Sequence, residues 1–362
     1  MFDSQARLAL EGAISFAGVP FGAARSVRGE VVFNTGMTGY VEALTDPSYR
    51  GQILVLTYPI QGNYGVPEGP FESEAIQVAG LVVTHYSEQP SHHRSVRTLG
   101  AWLDSQGVPA LHSVDTRSLT RQLREHGSMP GAIQQGDVGD VQPHQTDTTI
   151  GLLDEVVRNQ IITYPGGSLR ILLIDTGAKQ NIVRSLVGRG ATVVRAPWNQ
   201  NWESVVADVD GIMLSNGPGD PVDAMPFAHR LSPILASDKP IFGICLGHQM
   251  LALAAAARCV TLPYGHRSVN QPVRDLSTGR CYITSQNHGH AVDAPTLGPE
   301  WREWFINLND GTNEGFRHRF KEIRSVQFHP EASPGPTDTA FLFDEFLHIV
   351  ATTKRGRTAA AA

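Results

Sequence analysis

The chain has 362 residues, of which 41% are hydrophobic and 18% charged, and its formal net charge is −6. This composition is typical of a folded globular protein, and the length fits two domains because single cores stop growing beyond roughly 250–300 residues. An acidic chain gives no electrostatic support for binding nucleic acid or an anionic membrane surface, so we expect neither as a partner.

The N-terminal residues lack the apolar run of a signal peptide, and no segment approaches the ~18 apolar residues of a membrane span. The three cysteines, Cys245, Cys259 and Cys281, have spacings that match neither a zinc site nor a disulfide framework. These features predict a cytoplasmic protein.

Short strands dominate the N-terminal part of the sequence. Apolar and polar residues alternate, or form short apolar runs, in three segments: residues 6–22, 30–34 and 52–57. One helix is also predicted, because Asp115 can cap it and Leu119 and Leu123 form an apolar stripe. We predict a smaller, β-rich α/β domain over residues 1–149.

The composition changes after residue 136, where a polar stretch ends in Pro165-Gly166-Gly167-Ser168. We predict a linker over residues 150–168, with a short helical piece inside it. Beyond it, strands alternate with helices, which indicates a mostly parallel sheet flanked by helices over residues 169–354. Active sites in such sheets lie at the carboxyl ends of the strands. Residues 355–362 are expected to form a disordered tail after a helix predicted at 337–350.

Cys245 stands between an apolar run that reads as a strand and a segment that reads as a helix. Gly243 and Gly247 flank it in a Gly-x-Cys-x-Gly pattern, the thiol version of a nucleophile elbow. The tight turn needs residues without bulk, and a helix N-terminus favours the thiolate. We therefore predict that Cys245 is a nucleophile, although an isolated cysteine is more often structural.

Near the C-terminus, a predicted strand leads into His329-Pro330-Glu331. Proline disfavours helical geometry at the residue before it, so the tripeptide should be extended, with His329 and Glu331 on the same side. A catalytic cysteine needs a base, and the base works best when a carboxylate fixes its tautomer. His329 and Glu331 are predicted to fill these roles.

Two further patterns bear on the site. The segment 215–221 is a glycine-rich turn after a predicted strand, and its backbone N–H groups could stabilise an oxyanion. His288 and His290 could face the same way as metal ligands, but no third ligand stands out, so we predict no metal. The chain has no phosphate-binding loop, so any ATP is expected on another polypeptide.

Several motifs resemble the class I (triad) glutamine amidotransferases: residues 243–249, 216–221 and 329–332. Motifs in the N-terminal half resemble the small subunit of carbamoyl-phosphate synthetase: residues 32–40, 44–49, 57–59, 62–65 and 114–117. Further motifs of that kind occur in the C-terminal half: residues 177–181, 286–289 and 331–336.

The resemblance implies that the chain hydrolyses glutamine through a cysteinyl thioester and passes ammonia to a large subunit. That subunit makes carbamoyl phosphate from bicarbonate and ATP for arginine and pyrimidine synthesis. It implies Cys245, His329 and Glu331 as the catalytic residues and the N–H groups of Leu246 and Gly219 as the oxyanion hole. It also implies a set of residues that line the glutamine pocket: Ser48, Gly217, Gly219, Leu246, Gln249, Asn287, Gly289 and His290.

The same resemblance implies no cofactor on this chain, with ATP and Mg²⁺ on the large subunit, and it leaves a higher oligomer of heterodimers open. Three positions depart from the family pattern: His290 and Thr176 each stand where Phe is usual, and Gln271 replaces His. Two alternatives stay open, namely the glutaminase subunit of another synthase, of the anthranilate or GMP type, and a catalytically inactive regulatory subunit.

Overall fold

The computed structural model describes residues 6–136 and 149–361. The chain forms two compact units, unit 1 with Met1–Asp147 and Leu262–Ser268, and unit 2 with Thr148–Thr261 and Val269–Ala362. The sequence predicts a continuous C-terminal domain over residues 169–354. In the structure, the segment 262–268 inside this range is part of unit 1 instead. It belongs to unit 1 because the Arg267 carbonyl accepts a hydrogen bond from Thr35 N at 3.2 Å, and the Tyr264 ring lies 6.0 Å from that of Phe33.

Unit 1 is built on a closed barrel with the strand order β1-β2-β6-β5-β4-β3-β7. Its strands are β1 (Ala6–Leu10), β2 (Ser15–Gly22), β3 (Val27–Asn34), β4 (Gln52–Gln61), β5 (Gly80–Tyr86), β6 (Pro109–His112) and β7 (Met129–Gln134). Its helices are α1 (Tyr40–Thr45), α2 (Leu99–Ser105) and α3 (Thr116–His126). The predicted β-rich domain with one capped helix is confirmed, since Asp115 accepts a hydrogen bond from Ser118 N at the start of α3.

The apolar run in β4 is explained by burial on both faces of the strand. Ile53 and Val55 pack into one hydrophobic cluster, whereas Leu54 and Leu56 pack into another. Strand β4 pairs in parallel with β3 and β5, and parallel strands covered on both faces have continuous apolar sequences.

Unit 2 contains a ten-stranded sheet with the order β14-β13-β15-β16-β17-β12-β11-β9-β10-β8. Its strands are β8 (Ile162–Tyr164), β9 (Leu169–Asp175), β10 (Ala191–Pro197), β11 (Gly211–Leu214), β12 (Ile241–Ile244), β13 (Cys259–Asp275), β14 (Cys281–Val292), β15 (Trp301–Asn307), β16 (Asn313–His318) and β17 (Ile323–Val326). Its helices are α4 (Thr149–Val156), α5 (Gln180–Val187), α6 (Met225–Leu235), α7 (Leu246–Ala254) and α8 (Phe341–Ala361).

The central strands β17, β12, β11, β9 and β10 are parallel, as the sequence predicts. Helices cover both faces: Leu172 of β9 packs in the cluster that includes α6 and α7, and its neighbour Leu173 packs in the cluster that includes α5 and α8. The antiparallel extension through β16 and β15 was not predicted. The parallel centre places the carboxyl ends of β11, β12 and β17 side by side.

Two predicted irregular segments are ordered in the structure. Within residues 150–168, Leu153 of α4 is fully buried and β8 pairs with β10. The tail predicted to be disordered instead continues α8 to Ala361, which is consistent with the high helix propensity of alanine and with a 2.9 Å ion pair between Lys354 and Asp210. Within residues 6–136 and 149–361, none of the helices combines the length and apolarity of a membrane span.

Candidate active site

Cys245 occupies the turn between β12 and α7, as predicted. Its φ of 53° and ψ of −105° are uncommon for a residue other than glycine, and such strain is typical of functional sites. A Cβ added at Gly243 would lie 2.7 Å from the Gly247 carbonyl oxygen, and one added at Gly247 would lie 2.6 Å from that of Leu214. Both flanking positions therefore require glycine for the turn to close.

The Cys245 side chain is buried among polar groups. Its Sγ lies 3.7 Å from the Asn287 carbonyl oxygen and 3.7 Å from Nε2 of Gln327. Gln249, one turn into α7, donates through Nε2 to Oε1 of Gln327 at 3.0 Å. Gln327 was not singled out from the sequence, because its place beside the sulfur depends on how β17 pairs with β12.

His329 and Glu331 face each other as the extended tripeptide predicts. His329 Nδ1 lies 2.5 Å from Glu331 Oε1, and both side chains are buried. The backbone N–H of His329 donates to the Ser285 carbonyl at 2.9 Å, which ties the segment to β14. Among the described residues, His329 Nε2 has no hydrogen-bond partner, so the ring is held at one nitrogen and available at the other.

Lys179 completes this cluster, although the sequence did not assign it a role. Its Nζ lies 3.2 Å from Glu331 Oε1 and also donates to the Ala332 carbonyl. Its backbone N–H donates to Asn216 Oδ1 at 3.0 Å, so one residue contacts both the Glu331 segment and the glycine-rich turn. The motif around Gly177 includes this lysine, but the burial of its charge could not be inferred from the motif.

The pKa values of the pair reflect these contacts. Burial alone would lower the pKa of His329, but the attraction of the Glu331 carboxylate and of the Cys245 side chain outweighs it and raises the pKa to about 10. Burial would raise the pKa of Glu331, but Lys179 and His329 together lower it to about 2. Near neutral pH, Glu331 is therefore ionised and the His329 imidazole is protonated.

The glycine-rich turn, residues 215–221, follows β11 and is called the glycine loop below. Its first residue, Ser215, accepts a hydrogen bond from Gly247 N at 3.0 Å, which fixes the loop beside the start of α7. A Cβ at Gly217 would lie 2.2 Å from the Thr176 carbonyl oxygen, and Gly219 has a φ of +94°. The loop thus lies at the sheet edge that carries Cys245, where the sequence places an oxyanion site.

Strand β14 carries the predicted pocket residues Asn287, Gly289 and His290. Gln249 Nε2 donates to the His290 carbonyl at 2.9 Å, which joins β14 to α7. The structure therefore brings Leu246, Gln249, Asn287 and the glycine loop together around Cys245 within unit 2.

Ser48 belongs to unit 1, where it is buried and its N–H donates a hydrogen bond to Asp46 Oδ1 at 2.9 Å. Its predicted part in the glutamine pocket stays a prediction. Gln271, one of the departures from the family pattern, accepts a hydrogen bond from Asn309 Nδ2 at 2.9 Å and is tied to the hairpin after β15.

Residues 172–349 match the family model of class I glutamine amidotransferases. The fold of unit 2 is thus that of a class I glutamine amidotransferase. Residues 8–133 match the family model of the carbamoyl-phosphate synthase small chain, CPSase domain.

Curated relatives from fungi align with this chain over most of its length. The arginine-specific small chain of carbamoyl phosphate synthase from Neurospora crassa is 46% identical over 350 residues, which cover 92% of this chain and 77% of the relative. The protein of the same name from Aspergillus oryzae is 46% identical over 363 residues, which cover 95% of this chain and 80% of the relative. The chain belongs to the family of carbamoyl-phosphate synthase small chains.

Proposed function

We propose that this chain hydrolyses glutamine to glutamate and ammonia through a thioester on Cys245, and that it delivers the ammonia to a large subunit that makes carbamoyl phosphate from bicarbonate and ATP. The observation that carries the proposal is the convergence of Cys245, His329 and Glu331 in a unit that matches the amidotransferase model. The match of residues 8–133 to the small-chain model supports the choice of synthase.

The reaction begins with the Cys245 proton held on His329, and the sulfur attacks the carboxamide carbon of glutamine. The tetrahedral intermediate carries its negative charge on oxygen, where the N–H groups of Leu246 and Gly219 serve as donors. Collapse breaks the C–N bond, and His329 gives its proton to the departing nitrogen, which leaves as ammonia. Glu331 holds the imidazole in one orientation throughout.

Hydrolysis of the thioester uses the same imidazole. His329 takes a proton from water, the resulting hydroxide attacks the thioester carbon, and the C–S bond breaks to release glutamate and regenerate Cys245. Gly217, Gln249, Asn287, Gly289 and His290 line the glutamine pocket in this proposal. The carbonyl of Asn287 at 3.7 Å from Sγ supports the assignment, because it places β14 against the reacting atom.

The proposal includes a cytoplasmic chain that holds no cofactor of its own and pairs with a large subunit that binds ATP and Mg²⁺. The names of the relatives, which are arginine-specific, support a product used in arginine synthesis. A glutaminase of the anthranilate or GMP type is disfavoured by the small-chain match over residues 8–133. An inactive regulatory subunit is disfavoured by the complete Cys245, His329 and Glu331 cluster.

Cys245→Ser tests the proposal in the chain assembled with its large subunit. We expect glutamine-dependent carbamoyl phosphate synthesis to fall by about 10³-fold or more, while synthesis from added ammonia persists. Cys281→Ser is the matched control, because Cys281 is exposed at the start of β14 and its replacement is expected to leave both activities unchanged. Glutamine use that survives in Cys245→Ser would contradict the assignment.

A further inference from the structure

The glycine loop is held at its far end by a side-chain pair between Asp220 and His290. We propose that His290 is a positioning residue for glutamine hydrolysis: its imidazole, paired with Asp220, fixes the glycine loop against strand β14 so that the loop's N–H groups face the reacting carbon. This inference rests on the proposed function and gives His290, already placed in the glutamine pocket, a further role that acts through the loop.

Asp220 connects the glycine loop both to the segment that follows it and to strand β14. Its Oδ1 accepts a hydrogen bond from Val222 N at 2.9 Å and so caps the short 3₁₀ helix Pro221–Ala224. Its Oδ2 lies 3.4 Å from His290 Nε2. One carboxylate therefore fixes the backbone that leaves the loop and also contacts the opposite strand. The hydrogen bond from His290 keeps the pKa of Asp220 below its usual value, which agrees with a stable contact.

His290 is itself well fixed, so it can act as an anchor. Its backbone carbonyl accepts hydrogen bonds from Gln249 Nε2 at 2.9 Å and from His288 Nδ1 at 2.8 Å. Gln249 belongs to α7, the helix that follows Cys245. The backbone of His290 is therefore fixed to the helix that follows Cys245. The contact of its imidazole with Asp220 fixes the glycine loop to the same helix.

The near end of the loop has a comparable anchor. Thr176 Oγ1 donates to the Asn216 carbonyl at 2.9 Å, and Thr176 N donates to Ser215 Oγ at 3.0 Å. The residues between the two anchors include Gly217 and Gly219. Because glycine restrains the backbone least, the orientation of its N–H groups depends on what holds the ends of the segment.

The pair is partly exposed, which sets the size of the expected effect. The side chains of His290 and Asp220 are 18% and 40% exposed, so the contact contributes modestly to folding. Preorganised oxyanion donors matter most in the transition state, so loosening them lowers kcat more than it raises the KM for glutamine. This separates a positioning role from a merely structural one.

The experiment compares variants of the full chain assembled with its large subunit, with glutamine hydrolysis as the readout. His290→Phe keeps a ring but removes the donor, and we expect kcat to fall about three- to tenfold with a smaller change in KM. His290→Gln places an amide N–H near the position of Nε2 and should restore most of kcat. Asp220→Ser keeps a capping oxygen for Val222 N–H but is too short to reach His290, so it should resemble His290→Phe.

The double variant His290→Phe/Asp220→Ser is the sharpest test. If the two residues act as one pair, the double variant loses no more than the stronger single variant. His318→Phe is the matched control, since His318 Nε2 lies 3.5 Å from Glu300 Oε2 in a comparable pair on β16, and its kcat should match that of the wild type.

Unchanged kcat in His290→Phe, or fully additive losses in the double variant, would overturn the role of His290 while leaving the proposed function intact. A wild-type complex that does not hydrolyse glutamine would overturn the proposed function, and this inference with it. Loss of kcat in His290→Phe that His290→Gln restores supports the pair directly.

Discussion

Both units bury polar residues from the motifs that mark the family, but they use them differently. In unit 1, Tyr64 Oη accepts hydrogen bonds from the backbone N–H groups of Gly39 and Tyr40, each at 2.9 Å. Asn34 Nδ2 donates to Tyr49 Oη at 2.8 Å, and its Oδ1 accepts from Gly36 N. These side chains are committed to holding the local fold.

In unit 2, the buried candidate catalytic residues His329 and Glu331 differ from these side chains. Within the described ranges, His329 Nε2 and Glu331 Oε2 have no hydrogen-bond partner. Buried polar atoms are almost always paired, so an exception calls for an explanation. The comparison teaches that burial of a motif residue does not identify its role: the unit 1 side chains use their polar atoms on the local backbone and on each other, whereas His329 keeps one ring nitrogen uncommitted among the described residues.

Among the tests of this contrast between the units, Glu331→Gln is expected to have the largest effect on glutamine hydrolysis. The amide keeps the shape but cannot stabilise the imidazolium, so glutamine hydrolysis should fall by about 10³- to 10⁴-fold. The pKa of His329 should fall from about 10 towards its usual 6.5, which an NMR titration of labelled histidine would measure. An unchanged His329 titration would mean that the carboxylate does not control the ring.

Lys179→Met should have the next largest effect. Removing one partner of a buried ion pair leaves Glu331 with less compensation, so the free energy of unfolding should fall by about 3–5 kcal/mol. Glutamine hydrolysis should fall by about 10- to 100-fold, because the orientation of Glu331 is loosened. Arg258→Met is the control, since its pair with Asp293 is exposed and should contribute below about 1 kcal/mol. Equal losses of stability in both variants would refute a special role for Lys179.

The buried pair of His329 and Glu331 also predicts a pH dependence of stability. The pKa of His329 is raised from 6.5 to about 10. Its contribution to the free energy of unfolding is therefore full below pH 6.5 and is lost as the pH rises through about 10. The pKa of Glu331 is lowered from 4.5 to about 2, so its contribution is full above pH 4.5 and is lost as the pH falls through about 2.

The joint contribution of the two residues to the free energy of unfolding is therefore greatest between pH 4.5 and pH 6.5, their ordinary pKa values. Chemical denaturation of the wild type and of the double variant His329→Asn/Glu331→Gln should differ most between about pH 4.5 and 6.5, with the difference shrinking on either side. A difference that is constant from pH 3 to pH 10 would count against the coupled pair.

The smallest effect on activity is expected from Tyr64→Phe in unit 1. The change leaves the N–H groups of Gly39 and Tyr40 without their acceptor, so the free energy of unfolding should fall by about 1–3 kcal/mol. The ring stacking on Tyr40, with centroids 4.0 Å apart, should persist. Because this network is structural, kcat for glutamine should stay within about twofold of the wild type. A large loss of kcat without a loss of stability would break the contrast between the units.

The sequence by itself determined the features that depend on neighbouring residues. The turn at Cys245 follows from its flanking glycines and from a strand followed by a helix, and the alignment of His329 with Glu331 follows from the proline between them. The cap of α3 at Asp115 and the parallel centre of the unit 2 sheet could be predicted for the same reason, since local spacing decides them.

Only the tertiary structure decided which distant residues complete the site. Lys179 reaches Glu331 and Gln327 reaches Cys245 because parallel strands bring their carboxyl ends to one edge of the sheet. His290 reaches Asp220 from β14, which lies outside the parallel strands. The segment 262–268 joined unit 1, and α8 continued to Ala361, for reasons of packing and helix propensity that no motif marks. Contacts between residues far apart in the chain depend on strand order and register, and a single sequence encodes these only through the energy of the whole fold.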